Sequence, residues 1–364
     1  MKEKTKKQKV TDVILSLILA GAFTALLCYF QFDTKTSHSY AISILERSAI
    51  YAVAAVSMNL LNGFTGLFSL GQAGFMCIGA YVTGILTIPT ELRANVYYMN
   101  GIEPWLEKLH LPMVPAMIVG GLFAAGAAAL IGIPCLRLKS DYLAIATLGF
   151  AEIIRALVAA PVNDKITNGS YGLNQIPGYD NIFEVMIIAA VCILLMVLLI
   201  NSTYGRAFKA IREDEVAAEA MGINLFKHKE LSFVISSFFT GMSGGMLAVF
   251  MRSIDSKTFM VTMTYNILLI VVLGGIGSVT GSVIASLLIN GGQEWLRFLD
   301  EPTAVPVLKY LFKPGFRMVI YSVLLMVVVL FWRKGIMGTN EFSWEGLRRL
   351  FARKKKQSAR GGEA

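Results

Sequence analysis

The constraint that narrows this chain most is a succession of long apolar runs, at residues 10–30, 41–61, 114–134, 141–160, 184–200, 231–251 and 316–332. A helix needs roughly 20 apolar residues to cross the hydrocarbon core of a bilayer. Lipid offers the backbone no hydrogen-bond partner, so each run must satisfy its own N–H and C=O groups by coiling into a helix. The fold class that follows is all-α and polytopic. We expect about 8–10 transmembrane helices, some of them short or discontinuous.

Composition and charge agree with that class. Only 16% of the 364 residues are charged, 55% are hydrophobic and the mean hydropathy is +0.62, whereas soluble domains carry roughly 25% charged residues. The net charge of +9 does not point to nucleic acid, because 21 of the 33 Lys and Arg lie in residues 1–9, 137–139, 201–230 and 333–364, each flanking an apolar run. That is the positive-inside distribution. It predicts a cytoplasmic basic N-terminus at 1–9, a transmembrane region at 10–332 with a cytoplasmic loop at 201–230, and a cytoplasmic basic tail at 333–364. Both termini are then cytoplasmic. The run at 10–30 is long enough to span and no A-x-A-like site follows it, so it reads as an uncleaved first span. The tail's FARKKK stretch is accounted for by attraction to anionic headgroups of the surrounding bilayer.

Two glycine-rich segments interrupt the pattern. Residues 62–86 read NGFTGLFSLGQAGFMCIGAYVTGIL, and GGIGSVTG at 274–281 divides an apolar stretch at 264–290. Counting 264–290 as one crossing would put the basic tail outside, so we expect a discontinuous pair of short helices there. Asn62, Gly63, Gly66, Ser69, Gly71, Gln72, Gly274, Gly275 and Gly277 are the candidates for the translocation pathway, because glycine runs can expose backbone polar groups to a water-filled cavity. The other reading of the same glycines is close helix packing.

The interval 201–230, NSTYGRAFKAIREDEVAAEAMGINLFKHKE, carries five basic and five acidic residues between two spans. Its composition favours a helix across the middle. Glu215, Ala218, Glu219 and Gly222 fall at i, i+3, i+4 and i+7 and would share one face that another protein could approach closely. Gly222 with Asn224 marks the helix stop. A solvated linker between spans is the plainer alternative.

Fixed chemistry is scarce. The four cysteines sit in or beside apolar runs without paired spacing, and the three histidines lie far apart, so no metal site is expected. No Gly-Lys dipeptide occurs, hence no phosphate-binding GxxxxGK[ST] loop and no ATP hydrolysis by this chain. Gly241, Ser243 and Gly245 match GxSxG, but they fall in mid-span, where small residues pack helices. Glu152 and Arg155 are spaced to pair on one helix face, a structural pair rather than a proton relay. The chain is not expected to be an enzyme.

Four blocks carry a resemblance: LLNGFTGLFSLGQAGFMCIGAYV at 60–82, YLAIATLGFAEIIR at 142–155 with ITNGSYGLNQIPG at 166–178, GRAFKAIREDEVAAEAMGINLFKHK at 205–229, and VVLGGIGSVTGSV at 271–283. In this order the chain resembles the LivM-like permeases of branched-chain amino-acid ABC importers, with urea permeases as close relatives. The resemblance implies a type II ABC-importer-like fold in a bacterial plasma membrane. It implies that 201–230 is a coupling element for a cytoplasmic ATPase, touching it through Arg206, Arg212, Glu215, Ala218, Glu219, Gly222 and Asn224. Glu215, Ala217 and Ala218 precede Gly222 as the importers' Glu-Ala-Ala stretch precedes its glycine, with Val216 inserted. The implied partners are a second, LivH-like permease, two ATPase subunits that use ATP and magnesium, and an extracytoplasmic binding protein. No cofactor is expected on this chain. An ion-coupled secondary transporter is the competing class.

Overall fold

The computed structural model describes residues 36–99, 101–138 and 140–296, with residues 21, 319–320, 322–323, 326, 335–338 and 341 in addition. The expected first span at 10–30 and last span at 316–332, the segments 1–9 and 342–364, Cys28 and Lys139 fall outside the described residues, isolated positions apart.

The described residues are helical, and their one β-feature is a single antiparallel bridge between Leu173 and Ile254. Helix α1 (Thr36–Asn59) runs on as a π-helical turn, Leu60–Thr65, that Gly66 ends at φ +79°. After an extended stretch come α2 (Gln72–Thr87), α3 (Met113–Cys135), α4 (Ser140–Ala159) and α5 (Ile182–Asn201). Two short helices, α6 (Thr203–Glu213) and α7 (Glu215–Ala220), lead to α8 (Leu225–Met251). The pair α9 (Val261–Gly274) and α10 (Val279–Trp295) follows.

Tyr40–Thr65, Met113–Cys135, Tyr142–Ala159, Ile182–Asn201 and Leu225–Met251 are long and apolar enough to cross a membrane. α2 makes a sixth span when joined to residues 90–96 across a 98° bend. The expected break within 264–290 is present as the α9–α10 turn, with α9 an apolar helix of only 14 residues. One boundary moves. α8 begins at Leu225 rather than 231, because Asn224 Oδ1 accepts the Lys227 N–H at 2.9 Å and caps a helix that the charges had suggested was loop.

α8 is the axis of the bundle, with 78% of its span buried, and it packs on α3, α2 and α1. Small residues set these approaches. A β-carbon on Gly79 would collide with the backbone of Gly241, one on Gly241 would lie 2.6 Å from Ala124 Cβ, and one on Gly245 would lie 2.5 Å from Thr83 Oγ1. In lipid, where apolar burial gives helices little drive to associate, such close packing supplies the attraction. The GxSxG match is part of this contact: Ser243 is fully buried in mid-helix and donates to the Thr240 carbonyl at 2.7 Å. Buried hydroxyls add polar ties, Thr240 to Gln72 Oε1 at 2.5 Å and to Ser57 Oγ at 2.8 Å. By contrast, only 22% of the α4 span and 28% of the α5 span are buried.

Opposite the α6–α7 end, the connection from α2 to α3 folds over one buried cation. Arg93 donates to the carbonyls of Ile88 (3.1 Å), Ile85 (3.2 Å), Glu107 (3.1 Å), Leu109 (2.6 Å) and Leu106. These carbonyls end α2 and the turn Pro104–Glu107, so the guanidinium meets two negative helix ends at once.

Candidate functional site

The loop between α5 and α8 is two helices, not one. Ser202 takes an extended conformation and its Oγ accepts the Gly205 N–H at 3.4 Å, which starts α6. α6 is amphipathic, with Gly205, Phe208 and Ile211 buried and Arg206 exposed. Asp214 breaks it: its Oδ1 accepts from the N–H groups of Val216 (2.9 Å) and Ala217 (3.0 Å) and so begins α7. α7 ends at Ala220, and Gly222 turns the chain at φ +84°, a conformation that needs glycine.

The shared face expected for Glu215, Ala218, Glu219 and Gly222 is therefore corrected. Gly222 lies past the helix end, and Ala218 is buried against the chain itself while Glu215 and Glu219 are exposed. Asn224 starts α8 instead of stopping the helix before it. Glu215 is tied to Lys229 of α8 at 2.6 Å, which fixes α7 to the root of α8. Beside these carboxylates the tip also presents apolar side chains: Val216 of α7 is 77% exposed and Met221, just past its end, 84%. Sequence reasoning missed both. The available signal was that Val216 and Met221 are the two large apolar residues among the acids and alanines of 213–221.

The two glycine-rich segments, 216 positions apart in the case of Asn59 and Gly275, meet at this same end of the bundle. Asn59 is fully buried at the end of α1; its Nδ2 donates to the Ser278 carbonyl and the Ser282 hydroxyl, both at 2.9 Å, and its Oδ1 accepts the Gly277 N–H at 2.8 Å. A β-carbon on Gly63 would collide with Asn59 Oδ1 and lie 2.6 Å from the Gly277 nitrogen. Gly275 (φ +116°) and Gly277 (φ +90°) form the α9–α10 turn, and Gly274 packs on the backbone of Gly281. Elsewhere in the set, Asn62 Oδ1 accepts the Ser69 N–H at 3.2 Å, Ser69 Oγ accepts the Gly71 N–H at 3.3 Å, Gly71 abuts Thr147, and Gln72 is held by Thr240. The structure thus places most of these candidates in close backbone contact rather than along one open surface.

Arg212 joins the two groups of candidates. From the last turn of α6 its Nη1 donates to the Gly63 carbonyl at 2.8 Å, its aliphatic stem covers Gly66, and its guanidinium lies over Gly277. Glu213 pairs with the other side of the guanidinium. Lys209, one turn earlier, stands 5.5 Å above the Phe64 ring. Three further residues reach the same turn: Ile336 N–H donates to Leu273 O (2.8 Å), Met337 N–H to Gly274 O (3.1 Å), and the Glu341 carboxylate accepts the Val279 N–H (2.7 Å) and the Thr280 hydroxyl (2.8 Å) at the start of α10. α6 thus touches the π-helical turn that ends α1 and the α9–α10 turn through one side chain.

Comparison with known proteins gives a concordant picture. The profile of a family described as branched-chain amino acid transport system / permease component matches residues 40–343. The high-affinity branched-chain amino acid transport system permease protein LivM of Escherichia coli K12 is 33% identical over 331 residues, covering 82% of this chain and 70% of that protein. The guanosine ABC transporter permease protein NupQ of Bacillus subtilis is 26% identical, covering 57% of this chain and 67% of that protein. The permease LivH of Escherichia coli K12 is 23% identical, covering 80% and 92%. No solved structure matches.

Proposed function

The chain belongs to the family of branched-chain amino acid transport system permease components, and from that premise we propose that it is the membrane-spanning subunit of an ATP-driven importer of leucine, isoleucine and valine. The observation that carries the coupling half of this reading is Arg212, which ties a helical hairpin outside the spans to both glycine turns within them. In this reading α6 and α7 lie in the cytoplasm, and an ATPase subunit seats the exposed Val216 and Met221. ATP and magnesium stay with the two ATPase subunits. Movement of the ATPase displaces α6, Arg212 and Lys209 carry it to the Leu60–Thr65 turn and the α9–α10 turn, and the helices anchored there change which side of the membrane they open to. A ligand biases such a cycle only through contacts that differ between the two states.

The 33% identity to LivM supports the cargo, and the likeness to LivH supports a second permease of the same family as the partner. An extracytoplasmic binding protein delivers the amino acid to the end where Arg93 is buried. NupQ's name supports a nucleoside as the second cargo to test. The test is uptake into proteoliposomes containing this chain with its co-expressed subunits, using labelled leucine, guanosine and urea. Leucine uptake that requires both ATP and the binding protein is the expected result. Guanosine or urea uptake instead would keep the importer and replace the cargo. Uptake without an ATPase subunit would overturn the coupling role of α6 and α7.

A further inference from the structure

We propose that Glu152 and Arg155 of α4 form a subsite on the wall of the translocation pathway, where they receive the α-ammonium and the α-carboxylate of the passing amino acid. The proposal rests on the amino-acid cargo argued above.

α4 is the least buried of the long spans, yet it carries this ion pair within its apolar sequence, Arg155 Nε to Glu152 Oε2 at 2.8 Å. Neither side chain is enclosed by the chain itself, with 28% of Arg155 and 36% of Glu152 exposed. Charges in the hydrocarbon region are costly, roughly 2.5–3.5 kcal/mol each on the insertion scale, unless they face protein or water. Arginine near a helix end usually escapes by stretching to the headgroups. Arg155 does the reverse. Its guanidinium turns back toward Glu152, three residues nearer the middle of α4, and side chains on a helix lean toward its N-terminus, so both charges lie deeper than their own backbone. Glu152 is seven residues, about 10 Å, from the Ala159 end. The pair is therefore placed in the span by preference for something other than lipid.

The flank of α4 on which it sits is distinct from the apolar one. Leu143, Ala144, Thr147 and Ala151 face the bundle and Ile145 and Ile153 are exposed, while Glu152 and Arg155 occupy the side between them. α4 packs on α9, whose own exposed residues include Tyr265 and Asn266, again polar groups on the outer surface of a short apolar helix. On this proposal, the polar groups exposed on these two adjoining helices turn toward the second permease and the pathway between the two. The chemistry fits a zwitterion. A guanidinium offers a carboxylate two parallel N–H donors, a carboxylate accepts from an ammonium, and the pair holds both partners' charge neutral until a substrate exchanges with it. The aliphatic side chain of the cargo needs no such reader.

The test uses the assembled complex in proteoliposomes, with Glu152→Gln, Arg155→Gln and the exchanged pair Glu152→Arg/Arg155→Glu. All three are expected to keep their co-purifying subunits and basal ATP hydrolysis. Leucine uptake should fall roughly tenfold or more in each, the scale of losing one charged hydrogen bond. A pair that only stabilises α4 would instead be repaired by the exchange, and recovery of leucine uptake in the exchanged variant overturns the subsite. As a check independent of those variants, Leu148→Cys, one turn deeper on the same flank, should react with a water-soluble maleimide, and leucine turnover should slow the reaction. An unreactive thiol there means a lipid-facing flank and also overturns it. If the unmodified complex takes up no amino acid while these labelling results hold, the cargo reading fails and takes the zwitterion assignment with it.

Discussion

At Asn59 one side chain serves partners on both sides of the α9–α10 turn, and no hydrophobic residue could replace it. Asn59→Ala leaves the Gly277 N–H and the Ser278 carbonyl without their buried partner, at about 1–3 kcal/mol for each stranded group. We expect a lowered melting temperature for the detergent-solubilised protein, measured by thiol-dye or tryptophan fluorescence. Gly149 is the contrast. A β-carbon there meets nothing within 4 Å and the residue sits inside α4, so Gly149→Ala should be neutral or stabilising by about 0.5–1 kcal/mol. A melting point for Asn59→Ala at or above that of Gly149→Ala would remove Asn59 from its structural role. Gly63 and Gly79 could not be told from Gly149 in sequence, since all three are glycines in apolar surroundings; what differs is the backbone across from them.

On the scale of elements, the α6–α7 hairpin separates binding from transmission. Val216 and Met221 are at its tip and touch little of this chain, whereas Arg212 faces inward to Gly63. Val216→Asp with Met221→Asp should abolish co-purification of the ATPase subunits while leaving membrane insertion intact, because burying a carboxylate in an apolar contact is prohibitive. Arg212→Ala should retain the ATPase subunits and continue to hydrolyse ATP, but with leucine uptake reduced at least about tenfold, the loss of one charge-assisted hydrogen bond. If both sets of variants lose the ATPase equally, Arg212 belongs to the docking surface and not to the lever. The pattern of charges in 201–230 indicated a helix but not its break. Asp214 reads equally well as an exposed helical residue or as a cap, and only the extended backbone at that position makes it a cap.

For the whole molecule, the bundle has an end with α6, α7 and both glycine turns, and an opposite end with the Arg93-centred cap and the Leu173–Ile254 bridge. The family membership and the long apolar helices make it a multi-pass membrane protein. Its orientation is open to direct measurement. Met221 and Trp105 are 84% and 61% exposed at the opposite ends, so in intact cells an impermeant maleimide should label Trp105→Cys, and should label Met221→Cys only after the membrane is permeabilised. Labelling of Met221→Cys in intact cells would invert the molecule and place the hairpin out of reach of a cytoplasmic ATPase.

Lipid forces every apolar run into a helix, so the sequence alone determined the all-α polytopic class, the approximate ends of α1, α3, α4 and α5, and the need for a break between 264 and 290. The motif blocks it carries also led to the permease family. Tertiary structure decided which residues work together. Asn59, Gly63, Arg212, Gly277 and Glu341 are scattered over most of the chain, and each looks ordinary where it stands. Their proximity comes from how α1, α6 and the α9–α10 turn pack. That packing depends on side-chain volumes and backbone approaches between distant segments, which a periodicity read along one segment does not contain.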